Sequence, residues 1–237
     1  EESDHAEDIT EAVEVYWQQE LAIYDVHVID KKGIFLNEKE FLPHEVVYRL
    51  PPQISDAGTR VEQVRRDLER LVRMGVNVIR LEGTGTGAEG VNCSEVRTFY
   101  SLCRKRGFLT GDLWIRPENL PVYRGLPGET TCQALLAADG RTLTERYYYY
   151  QAKWSSEPVL YPVLSTLHRQ ENVLLSLTIY SNQKKVVLYV DGLLFLFQTA
   201  TSGDPEFIFE DIPVAKLPLH LAAEAGNLSI SLTVTKL

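Results

Sequence analysis

Thr59-Arg-Val-Glu-Gln-Val-Arg-Arg-Asp-Leu-Glu-Arg-Leu-Val-Arg-Met-Gly75, followed at once by Val76-Asn-Val-Ile-Arg-Leu-Glu82, is the stretch on which the fold turns. Thr59 and Glu62 form a capping box, in which the hydroxyl accepts an early helix N–H and the carboxylate reaches back to the Thr59 amide. Val61, Val64, Leu68, Leu71 and Val72 follow at helical spacing, and Gly75 supplies the left-handed stop. Val76 to Glu82 is then a strand. The unit repeats once. A glycine-rich loop, Gly83 to Gly90, leads to a helix over about Ser94 to Arg106 with Val96, Phe99, Tyr100 and Cys103 on one side. Gly107 ends it, and Phe108 to Asp112 is a short strand. Helix, strand, helix, strand with short connections predicts parallel strands joined by helical crossovers.

Upstream, Tyr24 to Asp30 alternates at the strand period, and Gly33 to Leu42 reads as a tight hairpin with Asn37-Glu38-Lys39 at its tip. Downstream, Arg116 to Gly140 is rich in Pro and Gly and reads as a connector. Beyond Tyr147-Tyr-Tyr-Tyr150 the pattern is β: Val173 to Tyr180, Val186 to Val190, Leu193 to Phe197, Phe207 to Phe209, Leu219 to Ala223 and Leu228 to Thr235. Asp191-Gly192 is a hairpin turn that needs positive φ. Short strands at this spacing predict a small antiparallel sandwich.

The 237 residues carry a net charge of −9, and seven acids crowd Glu1 to Glu14 without a Lys or Arg. The remainder is close to neutral and has no basic stripe, which excludes nucleic acid as a partner. The longest apolar run, Val186 to Phe197, is interrupted by Asp191-Gly192, so no membrane span is expected. Cys93, Cys103 and Cys132 match no zinc signature and leave at least one thiol unpaired. The histidines, at 5, 27, 44, 168 and 220, have no metal spacing, and no metal or cofactor is expected. His27, on an alternating strand, reads as a half-exposed structural residue. Asn92-Cys93-Ser94 and Asn227-Leu228-Ser229 fit the glycosylation pattern, which also arises by chance. No basic-then-apolar leader opens the sequence, so the protein is either not secreted or has lost its leader.

Three constellations carry candidate chemistry. Gly85-Thr-Gly-Ala-Glu-Gly90 fits the glycine fingerprint of dinucleotide-binding folds, with Asp112 placed for a ribose; the plainer reading is a βα loop. Glu82 and Asp112 each end a strand and would share one rim, where carboxylates about 5.5 Å apart suit a retaining glycosidase. The alternative is that they cap helices or pair with Arg80. Trp114, Tyr123 and Trp154 offer rings for stacking on sugars, or for packing.

Several segments resemble glycoside hydrolase family 2, the β-galactosidase, β-glucuronidase and β-mannosidase group. Lys32-Gly-Ile-Phe-Leu-Asn-Glu-Lys-Glu-Phe41 is similar to the hairpin that opens these barrels. Asp67 to Gly83 resembles the first barrel helix and second strand, its Arg-Leu-Glu-Gly ending being especially similar to the exo-glucosaminidase branch. Phe99-Tyr-Ser-Leu-Cys-Arg-Lys-Arg-Gly-Phe-Leu109 is similar to the next helix and strand. Leu126-Pro-Gly, Ala137 to Arg141 and Tyr147 to Tyr161 resemble the barrel's end. Tyr180 to Gly192 and Phe209-Glu-Asp-Ile-Pro213 resemble the sandwich that follows it.

The resemblance implies an α/β plus all-β chain: an acidic segment and strand (1–32), a partial (β/α) barrel-like region (33–116), a connector (117–146) and a C-terminal β-sandwich (147–237). Only about 100 residues separate hairpin from sandwich, whereas a full barrel takes about 250. The family's acid/base glutamate follows an Asn at the end of strand four, and Asn37-Glu38 lies instead in the hairpin; the third-strand Asp-Glu appears as Asp112-Leu113. No catalytic residue transfers beyond the weak candidates Glu82 and Asp112. Arg80, Glu82, Asp112 and Trp114 map near the substrate pocket. The implied chemistry is hydrolysis of β-glycosides with retention, weak or absent in this chain alone. The implied partners are a carbohydrate and another protein chain covering the incomplete barrel, and the implied compartment is secreted or periplasmic. A non-catalytic module binding carbohydrate or protein through the sandwich and Trp154 is the alternative.

Overall fold

In the computed structural model, residues 25–29, 32–51, 57–82, 93–110, 120–125, 134–170 and 174–236 are described. The chain divides into two compact units, at Leu42 and Pro43. In the first, β1 (Val26–Ile29), β2 (Gly33–Leu36) and β3 (Lys39–Phe41) form an antiparallel sheet in that order. Its tip has two residues, since Lys39 already pairs with Leu36. Asn37 and Glu38 both take positive φ, the geometry that lets a two-residue turn follow the strand twist. The Asn37 carboxamide oxygen also accepts the Asp25 N–H. His27 is exposed beside Asp25, at 2.8 Å.

The second unit opens on β4 (Glu45–Tyr48), α1 (Ala57–Met74), β5 (Val78–Leu81), α2 (Cys93–Lys105) and β6 (Leu109–Thr110), continues through β7 (Val122–Arg124) and β8 (Ala134–Leu136), and reaches α3 (Glu145–Trp154). These strands form one parallel sheet in the order β6-β5-β4-β7-β8. The predicted crossovers are present, but β7 pairs with β4, the first strand, instead of extending the sheet beyond β6. Among the described residues the sheet is open, with a reversal of strand order between β4 and β7 as in doubly wound folds. Both β7 and β8 lie in the stretch that reads as a connector, too short to show a period.

Helix α1 buries Val64, Leu68, Leu71 and Met74, while Val72, one step off that face, is 48% exposed. The helix is already under way at Ala57, which places Thr59 in its first turn and not at the cap. Its end is as expected. Gly75 takes φ +87°, Val76 N–H returns to the Leu71 carbonyl, and a Cβ on Gly75 would lie 2.4 Å from the Trp154 carbonyl oxygen. Helix α3 is the main surprise. Four consecutive tyrosines carry no helical period and favour strands, yet Tyr147 and Ala152 are buried and the Tyr147 hydroxyl donates to the Arg70 carbonyl at 2.8 Å. Tertiary packing overrides local preference.

One core joins α1, α2 and α3 to the sheet, and a polar knot lies inside it. Asp67, 1% exposed, accepts the hydroxyls of Tyr48 and Tyr123 at 3.0 and 2.9 Å and an Arg124 N–H at 3.0 Å, with Arg70 3.7 Å away. The Tyr48 ring stacks on Phe99 and Tyr123.

Two antiparallel sheets follow. One has the order β13-β10-β9, from β9 (Leu160–Gln170), β10 (Leu174–Ser181) and β13 (Glu206–Pro213). The other has the order β12-β11-β14-β15, from β11 (Lys185–Val190), β12 (Leu193–Thr199), β14 (Leu219–Ala225) and β15 (Leu228–Val234). Leu175, Leu177, Ile179, Phe207 and Phe209 from one meet Val186, Leu188, Leu219 and Leu221 from the other in a second core. Strand β9 escapes sequence reading because Pro162 interrupts it, which is tolerated on an edge strand. Asp191 and Gly192 have the positive φ expected of their turn. No helix among the described residues is long and apolar enough to cross a membrane.

Burial raises the proton affinity of several acids in the first core: Tyr48 and Tyr123 well above the ordinary phenol range, Tyr147 to about 12 and the Cys103 thiol to about 12. The native state therefore holds these protons more tightly than the unfolded chain does. Their stabilising contribution is complete below about pH 9 and is lost as pH rises towards the folded-state values. The urea midpoint is expected to fall steadily between about pH 9 and pH 11, and a flat profile there would show that these groups are not buried as described.

Candidate functional site

The candidate site lies at the carboxyl ends of β4 and β5, the rim where α/β sheets bind ligands. In β5, Ile79 and Leu81 face the helices, which sends Val78 and Arg80 to the opposite face. In β4, Val46 and Tyr48 likewise face the helices, which sends Glu45 and Val47 across. Adjacent pairing brings the two charges together. Arg80 Nε donates to Glu45 Oε1 at 2.8 Å, with the Glu45 side chain fully buried and Arg80 15% exposed. Isolated from water, each ion makes the other tolerable.

Glu82 follows β5 directly, and its N–H donates to the Tyr48 carbonyl at 3.0 Å, continuing the parallel ladder by one residue. Its carboxylate is ion-paired with Arg49 Nε, the residue after β4. The Glu82 side chain is 48% exposed, whereas Arg49 is 12% exposed. Glu82 at the rim and Glu45 at the amino end of β4 are thus both engaged by arginines. Glu82 does pair with an arginine, as one sequence reading has it, but with Arg49 and not Arg80.

Asp112 and Trp114 lie outside the described residues, as does the loop Gly85 to Gly90, and the expected Glu82–Asp112 couple therefore lies outside them too. The glycine run follows β5, the second strand of the parallel sheet. A dinucleotide fingerprint belongs after the first strand, at the order reversal. Tyr123 is fully buried with its hydroxyl on Asp67, and is no sugar platform. Trp154 is stacked on His44 at 5.1 Å and 7° and packs on Tyr150 at 4.5 Å. His44 is fixed in turn, since its Nδ1 lies 2.8 Å from the Gly75 carbonyl and must carry the proton. A cleft of about 180 Å³ opens between α1 and α2, lined by Leu50, Val64, Phe99 and Leu102 beside the Arg60–Glu95 pair at 2.6 Å.

Glu45 and Asp67 escape sequence reasoning, although signals for both exist. An arginine inside a strand as apolar as Val78-Ile-Arg-Leu81 requires an acid on a neighbouring strand. Asp67 stands three residues after Val64 and four before Leu71, inside the buried stripe.

No protein-family model and no curated protein matches the sequence. Solved structures do match. The chain superposes on a β-glucuronidase of Bacteroides uniformis with TM-score 0.63 at 14% identity, covering 90% of this chain and 48% of that one. It superposes on a putative β-galactosidase of Bacteroides fragilis with TM-score 0.59 at 12% identity, covering 92% and 58%. It superposes on a glycosyl hydrolase family 2 member of Bacteroides cellulosilyticus with TM-score 0.57 at 12% identity, covering 91% and 49%. The resemblance read from the motifs therefore holds at the level of fold: the chain has the fold of part of a family 2 glycoside hydrolase. It spans about half the length of these relatives.

The two ion pairs differ in what their loss exposes. Arg80→Ala takes the arginine from a fully buried carboxylate and is expected to cost about 3–5 kcal/mol. Glu82→Gln removes a half-exposed charge and is expected to cost under about 1 kcal/mol. Equal effects in urea titrations would contradict the assignment of Glu45 to the interior.

Proposed function

We propose that this chain is a non-catalytic derivative of a family 2 glycoside hydrolase. Its parallel layer corresponds to the opening strands of the barrel, and its paired antiparallel sheets to the sandwich that follows. The observation that carries this reading is the strand order β6-β5-β4-β7-β8, which among the described residues is an open sheet where the family's chemistry needs a closed ring of strands around the sugar. The engagement of Glu82 by Arg49 supports it, because an acid/base carboxylate must be free to exchange a proton with substrate or water. The ancestral reaction, hydrolysis of β-glycosides with retention through two carboxylates, is then a property of the fold's relatives and not of this chain.

A binding role is the remaining part of the reading. The position of Trp154 between His44 and Tyr150 favours packing over sugar recognition. The exposed apolar side chains of β12 favour a protein partner. Purified chain incubated with a panel of β-linked nitrophenyl glycosides is expected to give no turnover above the uncatalysed rate. Turnover of many per second on any member would overturn the proposal. Trp154→Ala is expected to lower stability by about 3 kcal/mol, as truncation of a packed aromatic does. A glycan-array signal that Trp154→Ala abolishes without loss of stability would instead establish a sugar site.

A further inference from the structure

Strand β12 ends the four-stranded sheet, and it is unlike an edge that stays solitary. Leu193-Leu-Phe-Leu-Phe-Gln-Thr199 contains no charge and no proline, two of the guards of an exposed edge. Leu193, Leu194, Leu196 and Phe197 are 75, 61, 43 and 52% exposed. A bulge in the pairing with β11 lies between Leu194 and Leu196. Phe195 packs against the core of the two sheets, and Leu194, Leu196 and Phe197 are left outward. Lys185 lies over the Phe197 ring at 4.1 Å.

The charges sit at opposite ends of this apolar strand. Asp191 is exposed at its start, in the turn from β11. Lys184 and Lys185 are exposed at its finish, where Lys184 and Ala200 share a backbone hydrogen bond and Lys185 pairs with Thr199. An antiparallel copy of the same edge would bring Asp191 of one molecule towards the lysine end of the other, twice, with only apolar and amide side chains between. A parallel copy would set like charges together.

We propose that the chain forms a two-fold symmetric dimer through antiparallel contact of β12 with β12 of a second copy, joining the two four-stranded sheets across the interface. An isologous contact needs a self-complementary patch, and a neutral apolar strand with opposite charges at its two ends is one. The partner is a second copy of this chain, whose edge matches in length, apolarity and charge order. The inference does not depend on the loss of catalysis.

The test is sedimentation of the full chain in the ultracentrifuge from about 1 to about 100 μM, where mass action populates a dimer. Wild type is expected to move from monomer to dimer, and Leu196→Lys, which sets two lysines near the axis, to stay monomeric with an unchanged circular dichroism spectrum. Leu193→Lys, at a more exposed position, guards against misfolding of the first variant and is expected to weaken the dimer too. Asp191→Asn keeps the turn and the oxygen that accepts the His220 N–H. It and Lys184→Gln are each expected to weaken association about two- to five-fold, and the two together by less than the product. A monomer at every concentration would overturn the proposal, and if β12 amides were nonetheless protected from exchange, another part of the same chain would be the cover. A dimer indifferent to Leu196→Lys and Leu193→Lys would place the interface elsewhere.

Discussion

Asp67 is the constraint on which the parallel half depends. A carboxylate at 1% exposure can persist only if its oxygens are filled. The donors that fill them come from far apart in the chain: Tyr48 at the end of β4, and Tyr123 and Arg124 on β7. The network therefore ties α1 to the two strands between which the sheet order reverses. Only one residue pair joins β4 to β7 in the ladder, Val47 with Val122. So short a pairing needs help, and Asp67 provides it from the helical side. A buried carboxylate filled from several elements at once favours one arrangement, because any other leaves that charge without these partners.

The opposite face of the same sheet is tied by Glu45 and Arg80, again across neighbouring strands. The β4–β5 pair thus carries a polar lock on each side, Asp67 through Tyr48 on one and the Glu45–Arg80 pair on the other. Within a barrel, the side away from the helices is the interior, where a sugar would sit above packed layers of side chains. Here that side is occupied by an ion pair flanked by the buried Val47 and Val78. The arrangement consumes acidic groups as structural anchors.

Much of this was legible in the sequence wherever a period was sustained. The α1–β5 and α2–β6 units, the Asn37-Glu38 and Asp191-Gly192 turns and six strands of the second half follow from spacing and turn chemistry. Elements shorter than about one period were not: β4, β7 and β8 have four, three and three residues. Nor was α3, where the tyrosines argue locally for a strand and only contact with α1 and β8 decides otherwise. At the rim, Arg80 and Glu82 were found, but their partners were not. Partnership depends on which strands become neighbours, and the pairing of β4 beside β5 is a property of the sheet, not of either segment.

The division between stability and catalysis at the rim has a physical direction. An enzyme must hold acids in places where they are poorly satisfied, and that strain lowers the stability of the fold. Arg49 beside Glu82 acts the other way. It is largely buried, and its guanidinium, always charged, finds a counter-ion on the adjacent strand. Removing Arg49 would free an acid, but among the described residues no strand of this sheet stands opposite it. On the proposed non-catalytic reading, chemistry at this rim would thus require a second set of strands as well as a liberated carboxylate.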